Sequence, residues 1–132
     1  MREILFRGKR VDNGEWETGS LVYARMGTSE EQVSIADKMT AYHTPVIPET
    51  VGQYTGLKDR NGTRIFEADI LEGDLEDNLD PGAKWRSVVV WGKFGWNCKG
   101  GHVSLPIDEF DIKEGEVIGN IHDNPELMEV ER

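Results

Sequence analysis

Apolar and polar residues alternate in short runs along most of this chain, and the runs are punctuated by Asn-Gly, Gly and Pro. That rhythm, with side chains repeating every second residue, is the mark of half-buried β-strands. From Glu3 to Tyr23 the pattern predicts two strands around Asp12-Asn13-Gly14, because Asn and Gly accept the positive φ of a tight hairpin turn. Ile4 and Phe6 share one face of the first strand, Leu21 and Tyr23 one face of the second. Periodicity fades between Ala24 and Ala41, where Ser29-Glu30-Glu31-Gln32 could cap a short helix beside a loop at Met26-Gly27-Thr28. Thr44-Pro45-Val46-Ile47-Pro48 must run extended, since each proline lacks a donor and biases its predecessor away from helix.

The most patterned stretch is VGQYTGLKDRNGTRIFEADIL, Val51 to Leu71. It predicts a strand at Tyr54–Leu57, a turn at Asp59–Gly62 and a return over Thr63–Leu71. On the return, Arg64, Phe66, Ala68 and Ile70 oppose Ile65, Glu67, Asp69 and Leu71. Neither set is cleanly apolar, so the strand is expected to bulge or change neighbours. An acidic loop from Glu72 to Gly82 follows, then Trp85–Trp91, whose branched and aromatic residues predict burial on both faces or at least a central strand. The glycines of Gly92–Gly101 fit another hairpin, and His102–Leu105 and Glu116–Ile121 read as short strands. Asp123-Asn124-Pro125-Glu126 carries a cap, a proline at the first helical position and an acidic residue, so a short C-terminal helix is expected. The sum is a mainly β chain of antiparallel hairpins, one compact domain over residues 1–132, in an arrangement that includes a partly open barrel among its options.

Composition narrows the function. The chain has 15 Lys and Arg against 25 Asp and Glu, a formal net charge of −10, and acids outnumber bases in each third. Duplex nucleic acid is held largely through Lys and Arg on phosphates, so that partner is disfavoured. A local basic patch from Arg2, Arg7, Lys9 and Arg10 has Glu3, Asp12, Glu15 and Glu17 close by. One cysteine, Cys98, excludes an intrachain disulfide. No segment approaches the roughly 20 apolar residues of a membrane span, and the charged N-terminus lacks a signal-peptide core. A cytoplasmic protein is expected.

The candidates for chemistry fail on spacing. A phosphate loop needs two glycines separated by four residues, then Lys and a hydroxyl residue. Here only three residues separate Gly52 from Gly56, Leu57 precedes Lys58, and Asp59 stands where the hydroxyl should be. A calcium loop opened at Asp74 would carry Leu79 and Trp85 where glycine and glutamate belong. Cys98, His102, His122 and His43 are too scattered for the paired spacings of a zinc site, and no metal or cofactor is expected. Cys98 has Lys99 and several glycines nearby but no nucleophile elbow, so no catalytic residue is assigned.

Three ordered stretches make the chain recognisable: ILFRGKRVDNGEWETGSLV, TVGQYTGLKDRNGTRIFEADIL and VIGNIHDNPEL. Together they resemble the YopX family of phage and prophage proteins over nearly the whole chain. The resemblance implies a mainly β accessory protein of a bacterial host cytoplasm that tends to self-associate; it supplies no activity. The positions matching the family pattern are Gly52, Gln53, Thr55, Gly56, Asp59, Gly62, Asp69, Gly119, Asn120 and Pro125, residue types suited to turns, caps and strand ends. The family's Glu-Gly-Asp-Ile becomes Glu67-Ala68-Asp69-Ile70 here, which implies a backbone at position 68 that accepts a Cβ. The expected function is a non-enzymatic, self-associating protein-interaction module, with host or phage proteins as partners. The alternative is an accessory to nucleic-acid metabolism that binds single strands or mimics DNA through its acidity.

Overall fold

The computed structural model describes residues 3–25, 31–74, 79, 82–92, 95–100, 103–106 and 115–129. It is mainly β and antiparallel throughout. The strands are β1 (Phe6–Lys9), β2 (Trp16–Arg25), β3 (Glu31–Ala36), β4 (His43–Pro45), β5 (Gly52–Lys58), β6 (Arg64–Phe66), β7 (Asp69–Asp74), β8 (Lys84–Gly92), β9 (Gly95–Gly100), β10 (Val103–Pro106) and β11 (Gly115–Asn120). One sheet is made from β1 to β6 and the other from β7 to β11, and no ladder among the described residues closes either into a barrel. The chain forms two compact units, Met1–Tyr54 and Thr55–Arg132, with the division inside β5.

In the first unit the order is β4-β3-β2-β1-β5. The hairpin expected around Asn13-Gly14 joins β1 to β2, with Phe6 opposite Gly19 and Lys9 opposite Trp16. Gly14 takes φ of 73°, the left-handed conformation a tight reversal requires. Ile35 is fully buried, and Val46, Leu5 and Tyr54 are buried in the same unit. The expected short helix fails where it can be seen. Glu31 and Gln32 open β3 instead, because Gln32 to Ala36 pair residue by residue with β2 and place Ile35 opposite Leu21. Tertiary pairing overrides a weak capping signal. Ser29 and Glu30 lie outside the described residues.

In the second unit the order is β10-β9-β8-β7-β11, with β6 paired to β5 beside it in sequence. The return strand expected over Thr63–Leu71 is broken into β6 and β7, which take different neighbours. As expected, β8 is central, and Val89 is fully buried between half-buried Val88 and Val90. Ile65, Leu71, Val89 and Cys98 form the core, with Leu57, Trp85, Trp96 and Val117 against it. The expected C-terminal helix is only a 3-10 turn, Pro125–Met128. Pro125 takes its first position, but Asn124 does not cap it; its side-chain oxygen accepts from the Asn120 amide at 3.4 Å instead.

Candidate functional site

The turn after β5 belongs to Asp59. Its Oδ1 accepts the amides of Asn61 and Thr63, both at 2.9 Å, and its carbonyl accepts from the Gly62 amide at 3.0 Å. Its Oδ2 accepts the Val117 amide of β11 at 2.8 Å, across 58 residues of sequence. Arg60 adds an ion pair to Glu116 at 2.9 Å, and the Asn61 side-chain amide donates to the same carboxylate at 3.1 Å. Thr55 is buried and donates its hydroxyl to the Ile65 carbonyl at 2.8 Å.

Asp69, 1% exposed, accepts the Phe66 amide at 2.7 Å and so closes the turn between β6 and β7. At that turn Ala68 has φ of 75°, in the left-handed region where a Cβ is strained. Position 68 therefore carries a Cβ, but in the glycine-type conformation that the alanine had argued against. Ala68 is held there by two main-chain bonds, its amide to the Val89 carbonyl at 2.7 Å and its carbonyl to the Ile121 amide at 3.0 Å.

Across the ladder from Asp69 lies Asn120, at the end of β11. The Asn120 Oδ1 accepts the amides of His122 and Asp123 at 3.0 and 2.9 Å, and its Nδ2 donates to Asp123 at 3.2 Å. The register of β11 shifts between Val117 and Gly119, and a Cβ on Gly119 would collide with the Asn124 side chain. The second and third sequence motifs thus meet at one joint built on β11. Gly52 and Gln53 stand apart from it, at the start of β5, opposite Arg7 and Phe6 of β1. Gly56 has φ of 87° and Pro125 opens the final turn.

Outside that joint, two surface features stand out in the first unit. Of the basic residues picked from the sequence, Arg7 and Lys9 lie on one face of β1 beside Trp16: the Arg7 guanidinium is 4.6 Å and the Lys9 ammonium 5.7 Å from its ring centroid. Arg10 points the other way, to Asp12 at 2.8 Å and Glu17 at 3.7 Å, while Arg2 lies outside the described residues. The Arg10 guanidinium, through its hydrogen bond, holds the Asp12 carboxyl below the usual carboxylate value. Trp16 was not singled out for this role by its sequence context; the signal was the hairpin register, which sets it opposite Lys9. The second feature is β2 itself. Among the described residues, Ser20 to Arg25 pair with β3 alone, because β1 begins opposite Gly19, and Tyr23 in that stretch is 60% exposed.

Among the described residues no group of three or more His, Cys, Asp or Glu is placed to hold a metal ion, and no helix is long and apolar enough to cross a membrane. Cys98 is buried in the core of the second unit.

Comparison with known proteins gives matches to a family and to solved structures. The family profile described as YopX protein matches residues 5–129. Among solved structures, protein EF1440 from Enterococcus faecalis matches with a TM-score of 0.63 and 22% identity, covering 98% of this chain and 100% of that one. At that identity the likeness speaks for a shared fold alone. A search among curated proteins returns no match.

Proposed function

The chain belongs to the YopX family, and on that footing we propose that it is a non-enzymatic protein-interaction module that self-associates, an accessory protein of phage or prophage origin at work in a bacterial cytoplasm. The supporting observation is the bare stretch of β2. An exposed strand edge offers unpaired amides and carbonyls to another chain, and proteins blunt such edges with short strands, prolines or bulges. Among the described residues, the outermost strands of the two sheets each carry one of these devices. β4 has three residues and ends in Pro45, β6 has three, β10 has four and ends in Pro106, and β11 is bulged at Val117–Gly119. Ser20 to Ala24 has none of them and no charged side chain. A second copy can therefore add antiparallel to the same stretch without bringing like charges together, the self-complementary contact of a two-fold dimer.

The non-enzymatic part of the reading rests on where the polar side chains of the joint point. Asp59, Asp69 and Asn120 direct oxygens at backbone amides. The test is light scattering on the eluting full-length chain, with Tyr23→Lys beside the wild type. We expect the wild type to elute as a dimer or larger, and Tyr23→Lys, which sets a lysine on each copy's edge, to shift towards monomer with an unchanged melting temperature. A wild type that is monomeric at every concentration overturns the proposal.

A further inference from the structure

We infer that two copies pair along β2 in one register, antiparallel about a two-fold axis at Tyr23, so that the sheets of their first units join. The inference rests on the self-association proposed above and adds which residues meet. Main-chain groups along a strand point alternately to its two neighbours. On β1 the Lys9 amide donates to Thr50 Oγ1 and its carbonyl accepts from Ile47, while the Leu5 carbonyl accepts from Tyr54. Leu5, Arg7 and Lys9 therefore turn away from β2, Phe6 turns towards it, and its ladder partner Gly19 turns towards β1. Carried along β2, the alternation points the amides and carbonyls of Leu21, Tyr23 and Arg25 to the open side, and those of Ser20, Val22 and Ala24 to β3. The far side agrees: the Val33 carbonyl accepts from Val46, so Val33 and its partner Tyr23 exchange no bonds.

Outward groups must meet outward groups, so the axis passes through a residue. An axis at Leu21 or Val22 runs the partner strand onto Gly19, whose groups belong to Phe6. An axis at Ala24 sets Leu21 opposite a residue beyond the end of β2. With the axis at Tyr23, Leu21 meets Arg25 of the partner subunit and Tyr23 meets the partner's Tyr23. Every outward group of the stretch then has a partner. The side chains favour the same solution. Cα partners project to one side of a sheet, so Tyr23 shares its face with Leu21, half-buried Val33 and fully buried Ile35. Tyr23, 60% exposed, is the open end of that apolar row. Set against its own copy it forms a cross-strand aromatic pair, and the row continues from one first unit into the next.

The test uses disulfides as rulers, with two differently tagged full-length chains co-expressed. About the Tyr23 axis, Val22 lies opposite Ala24 of the partner subunit as a pair without hydrogen bonds, its Cα atoms about 4.5 Å apart and within reach of a disulfide. We expect Val22→Cys together with Ala24→Cys to give a covalent dimer on mild oxidation, on the order of tenfold more than either variant alone. Wild-type chains, whose Cys98 is buried, should give none. A covalent dimer formed as readily by Val22→Cys alone or by Ala24→Cys alone, or none from the pair, overturns the register while the dimer seen by light scattering stands. A light-scattering monomer overturns self-association and the register with it. If the cysteine variants do not fold, photo-oxidation of the wild-type dimer decides, because adjacent Tyr23 rings couple to dityrosine. Mass spectrometry should then find a Tyr23–Tyr23 linked peptide, and a dimer whose Tyr23 stays unlinked overturns the register.

Discussion

The two compact units hold their strands together by different means. In the first, strand ladders and an apolar centre at Ile35 and Val46 carry the structure. Its side-chain staples are mostly exposed, such as Asp37 accepting the amides of Met39 and Thr40; buried Thr50, which accepts the Lys9 amide at 2.9 Å, is the exception. In the second unit, buried Asp59, Asp69 and Asn120 bind backbone amides, and Asp59 does so between segments distant in sequence. Buried polar groups are unfavourable unless satisfied, but when satisfied they allow one register and few others. The difference teaches where each unit can tolerate change. Among the described residues, the first unit leaves a strand edge open along β2, while the second spends buried carboxylates and a buried amide on fixing its register.

The sharpest break in this contrast is Asp69→Ala. It leaves the buried Phe66 amide without its acceptor, so urea unfolding followed by circular dichroism should lose about 3 kcal/mol. Gly119→Ala comes next, at about 2 kcal/mol, because the added Cβ pushes Asn124 away from the Asn120 amide. Ala68→Gly should go the other way and raise stability by about 1 kcal/mol: relief of left-handed strain outweighs the extra freedom of an unfolded glycine. A loss on that substitution would mean that the alanine methyl matters more to packing than its backbone matters to strain. The smallest effect belongs to the first unit. Amide hydrogen bonds from Thr40 and Met39 hold the Asp37 carboxyl below its ordinary value. Its contribution is therefore complete above the ordinary carboxylate pKa and is lost as pH falls through the lowered one. Acid titration of Asp37→Asn against the wild type should show a difference at neutral pH that closes in that window.

Much of the architecture was legible because hairpin signals are local. Asn13-Gly14 and Asn61-Gly62 each mark a reversal that the structure contains, and WRSVVVW is the central strand. What escaped was set by partners far along the chain. Glu31 to Ala36 has little strand signal of its own and becomes β3 by pairing with β2. Asn124 reads as a helix cap, yet its oxygen is taken by Asn120. Ala68 sits in a glycine conformation because Val89 and Ile121 hold its two main-chain groups, and no neighbouring residue announces that. The surface features were half legible: Arg7 and Lys9 are visible in the sequence, but their company depends on a register that puts Trp16 opposite Lys9 and turns Arg10 away.

The reach of Asp59 to Val117 has a consequence for the order in which the molecule is made. Its bonds to Asn61 and Thr63 can form as soon as that hairpin is synthesised, whereas its second oxygen must wait for β11, 58 residues later. Closing so long a loop is slow, because chain entropy is lost before the contact rewards it. Until then that oxygen has only water as a partner. On the ribosome the first unit can settle early, and the arrival of Val117 completes the joint in the second.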